Sequence, residues 1–159
     1  MKYSITIYLE SKEDIIRKVE IDSQNSLLEL HKLIIDSFKL HKNELASFYS
    51  TNHDLELLEE IPLIVFEENN KSSNMEDTTI ENILDIQSNR LIYIYDYMLM
   101  WRFLVELTDN KGEIQKSVCI KSVGEIPKEA PEIIFDQSDK EESYEDSIDE
   151  DDSEYDELY

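Results

Sequence analysis

The chain opens with an alternation of period two. Tyr3, Ile5, Ile7 and Leu9 fall on one side, and Ser4, Thr6 and Tyr8 on the other. That spacing belongs to a half-buried strand. After the polar residues 11–14, Ile15, Val19 and Ile21 share a face, so a hairpin with one buried side is predicted. The period then changes. Ser26-Leu27-Leu28-Glu29 has the form of a capping box, and the apolar positions Leu27, Leu30, Ile34 and Phe38 follow at helical spacing. The pattern predicts an amphipathic helix over 27–38, packed on the hairpin.

Further along, short strands are predicted at 46–49 and 61–66, with Pro62 pushing the second toward a sheet edge because proline cannot donate to a ladder. Residues 67–77 read as a polar loop. Thr78-Thr79-Ile80-Glu81 suggests a second capping box and a brief helix. The clearest strands are 91–95 and 101–107, joined by five residues that suit a hairpin connection. A last strand is predicted around 114–120, after the turn at 109–112. The sum is an α+β domain with a mixed, mainly antiparallel sheet and two helices, whose opening hairpin and helix are reminiscent of a β-grasp.

Charge divides the 159 residues in two. The chain holds 38 Asp and Glu against 15 Lys and Arg, a net charge of −23. Residues 137–159 carry 12 acids against Lys140 alone, with almost nothing apolar to offset the entropy of ordering them. A domain over 1–136 followed by an acidic disordered tail over 137–159 is the expected organisation. The negative surplus repels phosphates, which argues against direct nucleic acid binding. Two glycines, Gly112 and Gly124, cannot build a glycine-rich phosphate loop, and the single Cys119 permits no internal disulfide. Polar residues interrupt the N-terminal apolar stretch, and no later segment approaches a membrane span of ~18 apolar residues. A soluble cytoplasmic protein with no membrane contact is expected.

The string Leu91-Ile92-Tyr93-Ile94-Tyr95-Asp96-Tyr97-Met98-Leu99-Met100-Trp101, continued to Glu106-Leu107, resembles the signature of the plasmid pRiA-type ORF-three-like family, also labelled the TnpR passenger family of an insertion element. That signature runs aromatic-x-Tyr-Asp-aromatic-Gly-Asp-x-Trp and then a strand ending in Glu-Leu. Ile16-Arg17-Lys18, Leu30-His31, Phe48, and Val118-Cys119 with Gly124 and Pro127 match other landmarks in order, over residues 3–131. Met98-Leu99 stands where the family has Gly-Asp. The substitution removes a residue suited to a left-handed turn and an acid, so any activity built on that acid is absent. The resemblance implies a fold and brings no biochemical mechanism.

His31, His41 and His53 lack the i, i+4 spacing that places two imidazoles on one metal, and no cofactor or metal site is predicted. His31 is expected at the helix edge, bonded to a loop. Arg17 shares the face of Ile15 and Val19, and a buried guanidinium calls for a carboxylate. Either Asp96 supplies it, tying the first hairpin to the later one, or Arg17 reaches solvent at the sheet edge. Tyr93, Tyr95, Tyr97 and Trp101 form either a contact patch or core, and Met98, Leu99 and Met100 are either tucked inward or a sticky surface. No catalytic constellation is visible. The reading is a non-enzymatic protein-interaction module whose acidic tail contacts a basic partner. The alternative is a metal-dependent hydrolase or nucleic-acid-processing accessory of a mobile element.

Overall fold

The computed structural model describes residues 1–41, 43–65 and 73–131. The tail expected from residue 137 lies outside these. Among the described residues, seven strands and two helices run in the order β1 (Lys2–Leu9), β2 (Ile16–Asp22), α1 (Leu27–Phe38), β3 (Ala46–Thr51), β4 (Leu57–Pro62), α2 (Ile80–Ile83), β5 (Arg90–Tyr95), β6 (Trp101–Asp109) and β7 (Val118–Val123). The strands form one sheet in the order β4-β3-β5-β6-β1-β2-β7. All six pairings in this sheet are antiparallel, which corrects the expectation of a mixed sheet. The opening hairpin and helix are present, but β1 is flanked by antiparallel β2 and β6, so likeness to a β-grasp is confined to that unit.

The core lies between α1 and one face of the sheet. Ile5, Ile7, Val19, Ile21, Phe48, Tyr93, Phe103 and Val105 point into it from the strands, and Leu27, Leu30, Ile34 and Phe38 meet them from α1. This is the outcome that period two in the strands and period 3.6 in the helix require. The Ser26 side chain accepts the Glu29 N–H at the helix start, as the capping box predicts. The chain around α2 completes that end. Leu27 N–H donates to Thr78 O, Leu28 N–H to Met75 O, and Ile80 N–H to Asn25 O. Orphan donors of the first helical turn are thereby satisfied.

The second capping box does not form. Thr79 occupies the N-cap, but its hydroxyl accepts from the Asn82 side-chain amide at 2.9 Å instead of from a backbone N–H, while the Thr78 hydroxyl donates to Asn74 O at 2.7 Å. Two strands are displaced from their predicted places. β4 spans Leu57–Pro62 rather than 61–66, and β7 spans Val118–Val123 rather than 114–120. Both are edge strands with largely exposed side chains, so no burial pattern marks them in the sequence. Pro62 does sit on an edge, at the end of β4.

Gly124 turns the chain after β7 with φ +74, and a Cβ there would stand 2.5 Å from the Asp14 carbonyl oxygen. Gly124→Ala is therefore expected to lose at least about 1–2 kcal/mol from the left-handed backbone alone, with the backbone clash added. Urea denaturation of the variant measures this. A midpoint equal to that of the parent chain would contradict the tight approach.

Candidate functional site

The hairpin between β5 and β6 gathers most of the residues singled out from the sequence. Tyr95 pairs with Trp101, and the five residues between them form the tip. Asp96 and Met100 bracket this tip in left-handed conformations, with φ of 64° and 58°. An aspartate tolerates that region, whereas a methionine pays about 1 kcal/mol or more for it. The turn is held by local bonds. Asp96 Oδ1 accepts the N–H groups of Met98 (3.0 Å) and Leu99 (3.3 Å), and Asp96 O accepts the N–H of Met100 at 2.6 Å. Asp96 N–H donates to Leu45 O at 2.8 Å, which fastens the tip to the chain entering β3. The left-handed residues are 96 and 100, so the loss of glycine at position 98 does not cost the turn its geometry.

Tyr97 fixes the other side of the tip. Its hydroxyl is hydrogen-bonded to the buried Ser47 hydroxyl and donates to Ala46 O at 3.2 Å. Ser47 also donates to Glu60 at 2.7 Å, and the Tyr49 hydroxyl to the same carboxylate at 3.3 Å. Burial is the main cause that pushes the Tyr49 phenol up to about 12, with Glu60 adding to it. With its backbone and its tyrosine both tied down, the tip turns Met98 outward at 90% exposure, Leu99 at 56% and Met100 at 36%.

The aromatics divide between the two readings. Tyr95 and Trp101 are buried in the core beside Tyr93, while Tyr97 to Met100 face water. Burial raises the Tyr95 phenol to about 12, with Glu44 and Asp96 adding smaller contributions.

Arg17 is not part of this cluster, and the expected Arg17–Asp96 pair does not form. Arg17 is buried at 7% exposure, but its Nε donates to Ser37 O and one η nitrogen to Ile16 O and Val123 O, each at 2.9 Å. The guanidinium also lies 4.8 Å from the Phe38 ring centroid. The Ser37 carbonyl in the last turn of α1, where the helix dipole is negative, two strand carbonyls and an aromatic face stand in for the carboxylate. Asp96 spends its carboxylate on the turn.

A buried ion pair does tie the first hairpin to the later one, through residues the sequence did not single out. Arg102 Nε stands 3.2 Å from Glu10 Oε2, with side-chain exposures of 7% and 2%. Glu10 N–H also donates to Arg102 O at 2.8 Å. His31 is likewise bonded differently from expectation, since its Nδ1 meets the Tyr93 hydroxyl at 2.7 Å in the core rather than a loop. Burial holds the imidazole down at about 4, with Lys32 contributing less, and burial drives the Tyr93 phenol well above its usual value.

Among the described residues, no three His, Cys, Asp or Glu side chains gather where they would hold a metal ion, and no helix is long and apolar enough to cross a membrane. What the tip presents is shape and apolar area.

A family model described as plasmid pRiA4b ORF-3-like protein matches residues 1–159. No curated protein matches the chain. Among solved structures, the chain is similar to a crystal structure of protein of unknown function MM3350 from Methanosarcina mazei Go1. The TM-score is 0.67 at 18% identity, covering 94% of this chain and 84% of that one. At that identity the likeness concerns the fold.

Proposed function

The chain belongs to the plasmid pRiA4b ORF-3-like family, and from that premise we propose that it is a non-enzymatic protein-interaction module whose β5–β6 tip is the contact surface. The observation that carries this reading is the exposure of Met98, Leu99 and Met100 on a turn fixed by Asp96 and Tyr97. Apolar side chains on a loose loop would lose much of their binding energy to ordering, whereas a fixed turn has little left to order. Methionine adds a deformable surface that suits a partner's apolar pocket. The net charge of −23 selects a partner whose pocket is rimmed by Lys and Arg. The 12 acids of 137–159 supply further attraction for such a basic protein.

Capture from source-cell lysate on the immobilised full chain tests this. Basic proteins retained by the parent chain should be lost by about tenfold or more with Met98→Ser/Leu99→Ser, the loss expected for hot-spot side chains. Leu58→Ser, on the exposed β4 edge, should leave retention unchanged. The tip variant should keep its unfolding free energy within about 0.5 kcal/mol, since both side chains face water. Retention that is indifferent to the tip substitutions would overturn the reading.

A further inference from the structure

The two sheet edges differ in chemistry. β4 is guarded by Glu59, Glu60 and Pro62, three devices that discourage strand addition. β7 carries Val118, Ile120 and Val123 exposed along the opposite edge, with a bulge in its pairing to β2. Directly across that pairing Lys18 stands opposite Lys121. Like charges in this relation repel, and neither lysine makes an ion pair with a carboxylate among the described residues. Other lysines also lack a carboxylate partner, but among the described strand pairings this is the one position where the register sets two cations face to face.

We infer that the β7 edge, with Lys18 and Lys121, is a docking site for an acidic extended segment, and that the segment it takes is the carboxylate-rich stretch 139–157 of the same chain. A second copy of β7 fits poorly, since pairing two such edges would bring four lysines together. An acidic strand fits well. Val118, Ile120 and Val123 give it an apolar rail, the edge offers backbone hydrogen bonds, and the lysine pair gains its missing counter-charge. The tether suffices. The described chain ends at Pro131, eight residues before Asp139, and eight residues reach about 28 Å, more than the ~20 Å length of a six-residue strand. Tethering raises the local concentration of the acidic stretch to about millimolar, so a weak contact is populated. The contact is argued from the β7 surface alone. Its consequence rests on the interaction reading: the stretch is held on the chain's own cations until a basic partner displaces them.

Zero-length carbodiimide cross-linking of the isolated full chain, followed by mass spectrometry, tests the contact without any partner. Lys18 and Lys121 should couple to carboxylates within 139–157 about fivefold more often than the exposed Lys12 and Lys32 do. The preference should vanish near 1 M salt, where the screening length is about 3 Å. Equal coupling at all four lysines would overturn the inference, as would coupling between isotope-labelled and unlabelled copies, which would make a second molecule the occupant. Lys18→Gln/Lys121→Gln provides an independent readout. Its 139–157 amide resonances at low salt should match those of the parent chain at high salt, and unchanged resonances would overturn the contact. Both tests leave the tip untouched, so failure here and failure of the interaction reading are distinguishable.

Discussion

Arg102→Met is expected to lower the unfolding free energy by about 3–5 kcal/mol, because it takes a cation away from the Glu10 carboxylate in a site with almost no water. The magnitude follows from burial. The pair stands at 3.2 Å with both side chains nearly inaccessible, so water does not make good the loss of the cation. The backbone bond from Glu10 N–H to Arg102 O survives the substitution and keeps the two strands aligned, which isolates the effect of removing the cation. Glu10→Leu/Arg102→Met should therefore recover at least half of the loss, since apolar replacement of a buried pair is often neutral. Urea denaturation of the three proteins at pH 7 decides the matter. A double variant as unstable as the single one would mean that the loss comes from packing and not from charge.

The second large effect is a dependence on pH seated at His31. The imidazole titrates at about 4 in the folded chain against 6.5 when free, because burial beside Tyr93 disfavours its charged form. Between those values the unfolded chain binds more protons than the folded one. The contribution of His31 is therefore complete above pH 6.5 and declines as the pH falls toward 4. A difference of this size is worth about 3 kcal/mol. Carboxylates complicate the raw curve, since protonating them relieves the repulsion within a chain of net charge −23. The informative quantity is the difference between the parent chain and His31→Gln, which retains a hydrogen-bonding group near Tyr93 and does not titrate. Relative to that variant the parent chain should lose about 3 kcal/mol between pH 7 and pH 4. Parallel stability curves would show that His31 is not held neutral by the core.

Where burial imposes a period, the sequence is legible. α1 occupies 27–38 as predicted because Leu27, Leu30, Ile34 and Phe38 are all buried on one stripe and Ser26 caps its start. The hairpins β1–β2 and β5–β6 were legible for the same reason. β4 and β7 lie away from their predicted places because edge strands bury little. Leu57 and Leu58 are both exposed, as are Val118 and Ile120, so apolar residues there carry no information about a face.

The site was legible in position but less so in its bonds. Tyr95 to Trp101 marked the right hairpin, yet only the structure separates the buried Tyr95 and Trp101 from the exposed Met98 and Leu99. Asp96 looked like a counter-ion. A signal against this was available, since an aspartate opening a turn commonly accepts the N–H groups two and three residues on. The partner of Arg17 was misjudged because a helix terminus and a ring face satisfy a guanidinium without any acid, and neither is visible before α1 is packed on β2. Glu10 and Arg102 escaped notice since their meeting depends on the register of β1 against β6, which local sequence does not encode. The buried guanidinium with a carboxylate linking two hairpins was thus a sound expectation attached to the wrong residues.

Hydrogen exchange at the amides of Met98, Leu99 and Met100 in the full chain tests most directly whether the tip is a fixed apolar surface. Each of these N–H groups bonds to Asp96, so exchange should be slowed by about tenfold or more relative to an unstructured peptide of the same sequence. Asp96→Ala should abolish the protection at Met98 and Leu99, whose amides bond to the lost carboxylate. Exchange at the free-peptide rate in the parent chain would contradict the account, because the methionines would then ride on a loose loop with no prepared face to offer.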